Sequence, residues 1–403
     1  MHSASEFPPG WRRLSMVLAL GTLILIAIGG LVTSHGVGMA VPDWPNSYGY
    51  NMFAFPVSQW VGGILYEHSH RLWASLVGFL TLWLALWVNG KASRPWLRGF
   101  GIVCAVLGAA AAFKGSISLG NVIFLLATGV AAYFVGRVWP QCDAAPRSLR
   151  WLTLAALALV LIQGLFGGLR VVMMIDSLGI VHAALAQLFF CLSAVLAVLF
   201  NGRWKAWRNA SLRETTNPRM FGLVLTLSIV IFAQLLLGAS MRHQHAGLAV
   251  PDFPLAYGKI WPPTDAAFLE LINNSRVDVR DFHPITGGQI LLHMIHRLTA
   301  LAIVGLVVVV VGLAFREASC AWRRWSMAGA ALVSVQAGLG AWTVWSNKAA
   351  DIATAHVVVG ALTLVWSVLF TMALAVNRES RKNSNSGARP QEPVWSHAQA
   401  STT

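Results

Sequence analysis

Ten times along this 403-residue chain, stretches of about 20 residues are almost free of charge. A run of ~20 apolar residues spans ~30 Å as a helix, the thickness of a bilayer's hydrocarbon core. No water is available there for backbone groups, so only helices and closed barrels cross. Continuous apolar runs of this kind read as helices, because barrel strands would alternate. The spans fall at about 14–34, 64–89, 98–114, 118–137, 151–171, 178–201, 220–240, 289–314, 325–346 and 352–376. The chain is 56% hydrophobic and 11% charged, which excludes an ordinary soluble domain.

The formal charge of +14 raises the question of nucleic acid, but its distribution answers for a membrane. With the N-terminus in the cytoplasm, 20 of the 29 basic residues face inward, among them Arg12, Arg13, Arg94, Arg147, Arg150, Arg203, Arg219, Arg316, Arg323, Arg324 and Arg378. Both termini are then cytoplasmic, and the location implied is a bacterial-type plasma (inner) membrane crossed many times. The run from Leu14 to Val32 is long for a signal core and no clean small-x-small site follows it, so it reads as an anchor. Cys104, Cys142, Cys191 and Cys320 fall in helices or inner loops, where a structural disulfide is not expected.

The chain also repeats itself. Ala40-Val41-Pro42-Asp43-Trp44-Pro45 returns as Ala249-Val250-Pro251-Asp252-Phe253-Pro254, and His70-Arg71-Leu72 as His296-Arg297-Leu298. Gln163 followed by His182 returns as Gln336 followed by His356. The first two landmarks move by 209 and 226 positions, so the second outer loop is about 17 residues longer. The last two move by 173 and 174, which leaves about 53 extra residues in the first copy. That length holds two helices, the pair at about 98–137. The expected fold is all-α: two pseudo-twofold-related four-helix bundles, 13–205 and 206–376, plus the inserted pair. A short cytoplasmic segment, 1–12, precedes them, and a polar tail, 377–403, is expected to be disordered.

Each copy places one histidine at the start of its second core helix and one at the start of its fourth: His70 and His182, then His296 and His356. These helices run the same way, so both imidazoles of a copy lie near the outer face. Two imidazoles across a bundle suit a porphyrin iron with two axial ligands. The bland alternative is a set of interhelical hydrogen bonds, disfavoured by the cost of ionisable groups in lipid. Zinc fits less well, since no cysteine or carboxylate cluster completes a tetrahedron in the second copy. Glu67 lies three residues before His70 on one helical face, whereas its counterpart is His293. One copy thus carries a carboxylate that can move protons or stabilise positive charge, or that simply pairs with Arg71. Arg71 and Arg297 suit porphyrin carboxylates or lipid phosphates, and Arg170 and Arg242 are weaker candidates of that kind. Gln163 and Gln336 read as interhelical hydrogen-bonding groups, and His68 as structural. His35, His243, His245 and His283 read as outer-loop residues, and Asp43 and Asp252 as turn formers.

These residues resemble the haem A synthase family. The likeness rests on Gly29-Gly30-Leu31-Val32 before the Pro-Asp-Trp-Pro loop, on Glu67, His70 and Arg71, on Gln163-Gly164-Leu165-Phe166-Gly167-Gly168-Leu169 before His182, and on the second copies. It implies oxidation of the C8 methyl of haem O to a formyl group by successive hydroxylations. It further implies a haem b at His296 and His356, with Arg297 beside it, and substrate haem O at His70 and His182, with Arg71 beside it. Glu67 maps to the family's essential glutamate. Association with haem O synthase or with cytochrome oxidase assembly is implied, and no nucleic acid. The chain names no electron donor. Unlike many bacterial members, it has no cysteine pair in an outer loop. The alternative reading is a quinol-linked haem-b membrane cytochrome, which would need two permanent haems and have little use for Glu67.

Overall fold

A computed structural model describes residues 7–115, 119–140, 145–201, 216–275 and 284–385, with the backbone alone for 379–385. Arg203, Cys142, His283 and the segment 386–403 lie outside the described residues. Within them the chain is all-α and multi-pass: nine segments are long and apolar enough to cross a membrane. One of the nine, Gly62–Lys114, holds two helices, because the chain turns at Gly90, where φ is +52°. Every span read from the sequence coincides with a helix. These are α1 (Pro9–Ser34), α2 (Gly62–Asn89), α3 (Ser93–Lys114), α4 (Leu119–Val138), α5 (Arg147–Val172), α6 (Leu178–Leu199), α7 (Arg219–His243), α9 (Gly287–Glu317), α10 (Cys320–Trp345) and α11 (Ala350–Asn385). A short helix, α8 (Ala266–Asn274), lies in the segment joining α7 and α9. Its N-terminus is capped by Asp265, whose carboxylate accepts from the Phe268 amide at 3.0 Å.

Lipid tails are as apolar as leucine, so helices associate here through close packing and small residues. α1 packs on α2 and α6, and α5 on the same two, around Trp11, Leu18, Val77, Leu84, Leu196 and Phe200. α7 packs on α9 and α11, and α10 on the same two, around Met220, Leu227, Val307, Trp322 and Phe370. The two quartets meet where α1 and α6 contact α11 and where α6 contacts α7. α3 and α4 pack chiefly on each other. A Cβ at Gly129 would stand 2.7 Å from the Gly101 carbonyl and the Ala105 amide, so only glycine permits this approach.

One expected boundary is corrected. α11 runs on through Asn385, nine residues past the expected end of ordered structure, and Asn377 is fully buried. Arg378, Glu379, Arg381 and Lys382 are good helix formers, and extending an existing helix needs no new nucleus. Loss of apolarity marks where a membrane span ends, not where its hydrogen-bond ladder does.

Candidate functional site

All four repeated histidines line one cavity of ≈ 1930 Å³ that reaches into both quartets. Ordinary ligand pockets hold about 300–1,000 Å³, so there is room for more than one ligand. His70 on α2 and His182 on α6 lie close enough for their charges to interact, and so do His296 on α9 and His356 on α11.

Each imidazole rests against a glycine of a neighbouring helix, and the four glycines also occupy repeated positions. A Cβ on Gly29 would stand 3.1 Å from Nε2 of His70, and one on Gly167 2.9 Å from Cε1 of His182. In the second quartet the matching distances are 3.4 Å from Gly238 to His296 and 3.1 Å from Gly340 to His356. Glutamines brace the helices behind the rings. Gln163 donates to the His182 carbonyl at 2.9 Å, and Gln234 to the His296 carbonyl at 2.9 Å. His182 Nδ1 lies 3.2 Å from the Gln163 carbonyl oxygen, the arrangement that leaves Nε2 to bind a metal. Nδ1 of His296 and of His356 are buried without a partner. The described residues hold no group of three or more histidine, cysteine or acidic side chains suited to a metal ion. A porphyrin brings four nitrogens of its own and asks the protein for two. The paired histidines, the Nε2 that His182 leaves free and the large apolar cavity therefore fit a tetrapyrrole better than a bare ion.

Glu67 is 4% exposed and doubly engaged. Its Oε1 pairs with Arg71 at 2.7 Å, and its Oε2 accepts from the Val41 amide at 2.8 Å. Arg71 further donates to the carbonyls of Val41, Asp43 and Asn46 at 2.6, 2.6 and 3.1 Å. The loop over the site is thereby tied to α2. Asp43 orders its turn by accepting from the amides of Tyr48 and Gly49 at 2.7 and 2.8 Å, as its sequence suggested. The second loop is a close copy: Asp252 accepts from Tyr257 and Gly258, and Arg297 donates to the carbonyls of Asp252 and Leu255 at 2.6 and 2.8 Å. There the residue in Glu67's place, His293, is buried. His68 is structural: fully buried, 3.1 Å from Ser47 Oγ and packed on Phe55 and Trp60.

His243 is a correction to the sequence reading. It ends α7 rather than lying in a loop, lines the cavity, and sits against Gly179 of α6, where a Cβ would be 2.2 Å from its ring. Its repeat counterpart is Ser34, so the histidine pattern gave no sign of it. Gln234 was missed for the same reason, since Leu25 stands in its place in the first copy.

Residues 118–368 match the family COX15-CtaA, described as cytochrome oxidase assembly protein. This chain belongs to that family. The matched span takes in His182, His296 and His356, while Glu67 and His70 lie N-terminal to it. The chain is 24% identical over 275 residues to the heme A synthase of Shouchella clausii (strain KSM-K16), covering 66% of this chain and 71% of that protein. It is 22% identical over 283 residues to the heme A synthase of Alkalihalophilus pseudofirmus (70% and 73% covered), and 29% over 233 residues to that of Caulobacter vibrioides (56% and 63% covered).

Proposed function

We propose that this chain is a haem A synthase, a membrane oxidoreductase that converts the C8 methyl group of haem O to a formyl group. Two successive hydroxylations, each a two-electron oxidation by an external oxidant, give a hydrated aldehyde, which loses water. The two helix quartets are read as four-helix bundles related by a pseudo-twofold axis along the membrane normal. The histidine ends of the helices then face outward. The ends carrying Arg94, Arg147, Arg150, Arg219, Arg316 and Arg323 face the cytoplasm, in keeping with the positive-inside rule. His70 and His182 would hold haem O as substrate, and His296 and His356 a haem b. When bound, haem b supplies one-electron redox chemistry. Haem O synthase and components of cytochrome oxidase assembly are the expected partners.

The observation that carries this reading is an asymmetry: two matched histidine pairs on matched glycines, with a carboxylate beside only one. Of the two roles open to Glu67, its geometry favours electrostatic stabilisation of an electron-deficient methyl carbon. Both oxygens already accept hydrogen bonds, one within an ion pair, so proton transfer would first require breaking that arrangement. The negative end of a fixed ion pair in a water-poor site needs no such rearrangement. The cap loop, held by Arg71, closes the outer end against water.

The test is expression beside a source of haem O, followed by chromatography of the extracted porphyrins. Haem A is expected from the wild type and not from Glu67→Ala, His70→Ala or His296→Ala. Haem A formed undiminished by all three variants overturns the assignment.

A further inference from the structure

The two arginines that follow the paired histidines are engaged elsewhere. Arg71 makes four hydrogen bonds to loop carbonyls and Glu67, and Arg297 donates to two loop carbonyls and covers the Phe253 ring at 5.4 Å. Two other guanidiniums line the same cavity, and neither fastens a cap loop.

Arg170 stands in the last turn of α5. Among the described residues its side chain hydrogen-bonds to Asp176 alone, at 3.2 Å, and the Asp176 side chain is 53% exposed. Its Nε is buried without a partner. Arg242 stands in the last turn of α7 and crosses to the first quartet. There it donates to Gly30 O at 3.3 Å, to Ser34 Oγ at 3.0 Å and to Thr33 Oγ1, all neutral acceptors. No carboxylate among the described residues pairs with it.

All four arginines lie near the histidines: Arg71 is within electrostatic range of His70 and Arg297 of His296. Arg170 lies within electrostatic range of both His70 and His182, and Arg242 within range of His356. One guanidinium not tied to a cap loop therefore attends each histidine pair. On α5, Arg170 follows Gln163, whose carbonyl meets His182, by seven residues, or ~10 Å along the helix towards the cap loop. A flat ligand centred on the imidazoles would meet this guanidinium at its outer edge. A cation in a poorly hydrated site is costly unless an anion joins it, and a guanidinium takes a carboxylate in a two-point fork.

We propose that the carboxylates of the two tetrapyrroles are received by Arg170 in the first quartet and Arg242 in the second, while Arg71 and Arg297 serve the cap loops. The proposal rests on the haem reading above and assigns the anion-binding groups within it.

The test compares iron protoporphyrin with its dimethyl ester, which has the same ring and no free carboxylates. Full-length protein in nanodiscs is titrated with each form and followed by Soret absorbance. Wild type should prefer the free acid by about tenfold or more, the scale of hydrogen bonds to charged groups. Arg170→Gln should bring that ratio close to one, and Arg170→Lys, which keeps the charge but not the fork, should fall between. For the second site, Arg242→Gln should hasten transfer of the protein's bound haem to apomyoglobin by a similar factor. Arg71→Gln should leave the acid-to-ester ratio in place. An unchanged ratio in Arg170→Gln with unchanged transfer from Arg242→Gln overturns the assignment, as does a ratio lost in Arg71→Gln. A preference that follows the anionic lipid content of the nanodisc, not the ester state, would give these arginines to lipid phosphate and overturn it too. Wild type binding neither porphyrin form would end the haem reading itself, and this assignment with it.

Discussion

The two quartets use one frame with one decisive substitution. Both seat their histidines on glycines, both order a cap loop through an aspartate, and both fasten that loop with an arginine one residue after the second helix's histidine. They part company three residues before that histidine. The first quartet has Glu67, paired with Arg71 at 2.7 Å, and the second has His293. The first quartet thus presents an ion pair where the second presents Arg297, paired with no carboxylate among the described residues, and low polarity magnifies that difference in field. A single side chain therefore makes two similar cages electrostatically different, and the proposed division into a reacting site and a redox site follows from it.

The largest effects should come from the histidines, because they separate the cages. His296→Ala should yield protein without the haem b Soret band and without haem A formation. His70→Ala should keep the haem b band and lose haem A formation. Absorbance of the purified variants, read with extracted porphyrins, decides between the two. The opposite pattern would exchange the roles of the quartets.

Next is the carboxylate. Glu67→Gln keeps an acceptor for the Val41 amide but removes the charge. Haem A output should fall by about 10²–10³, the scale found when one preorganised electrostatic group is removed from an active site, with haem b content unchanged. His293→Gln should alter output only a few-fold. Because Glu67→Gln leaves Arg71 without its anion, it should also cost up to about 3–5 kcal/mol of stability, visible as a lowered melting temperature. A variant that melts early yet keeps full turnover would leave Glu67 as a loop fastener only.

What the sequence disclosed follows from which signals it carries. Apolar runs are long-range and redundant, so every span was legible, even the short one ending at Lys114. The histidine pairs were legible because duplication marked them. Gln234 and His243 were not, since Leu25 and Ser34 occupy their counterpart positions and no periodicity points to a single polar residue. The pairing of Arg71 with Glu67 was legible as one alternative, but its loop partners were not: backbone carbonyls have no letter in the sequence, so an arginine that orders a loop looks like one awaiting a ligand. The helical start of the tail was misread because hydropathy reports burial in lipid, whereas the α11 ladder persists wherever helix formers follow.

The glycine seats offer a graded comparison. An alanine at Gly167 would place its Cβ 2.9 Å from the His182 ring, and one at Gly340 3.1 Å from His356, so each ring must shift. At Gly238 the distance to His296 is 3.4 Å, an ordinary contact. Gly167→Ala should therefore impair substrate-haem binding, and Gly340→Ala should broaden or shift the haem b signals. Gly238→Ala should be nearly silent in the electron paramagnetic resonance spectrum. Equal effects at Gly238 and Gly340 would mean that helix packing, not ring seating, sets the response.

The smallest effect is expected from the feature that only the first quartet has. α3 and α4 pack chiefly on each other, and a further tie within the pair is Arg94, whose guanidinium donates to the Trp139 carbonyl at 2.6 and 2.8 Å. Gly129→Val would force this pair apart, because even a Cβ there meets backbone atoms at 2.7 Å. Cross-linking of cysteines placed on facing positions of α3 and α4 should report the separation directly. The haem b band and its melting temperature should stay within the ~0.5 kcal/mol scatter of a surface change, since the cores of both quartets are built without these helices. Trp96 and Phe100 of α3, however, line the cavity, so any loss should appear in haem A formation alone. Loss of haem b with the hairpin would mean that the inserted pair holds the whole bundle together, and that the asymmetry between the quartets extends beyond one carboxylate.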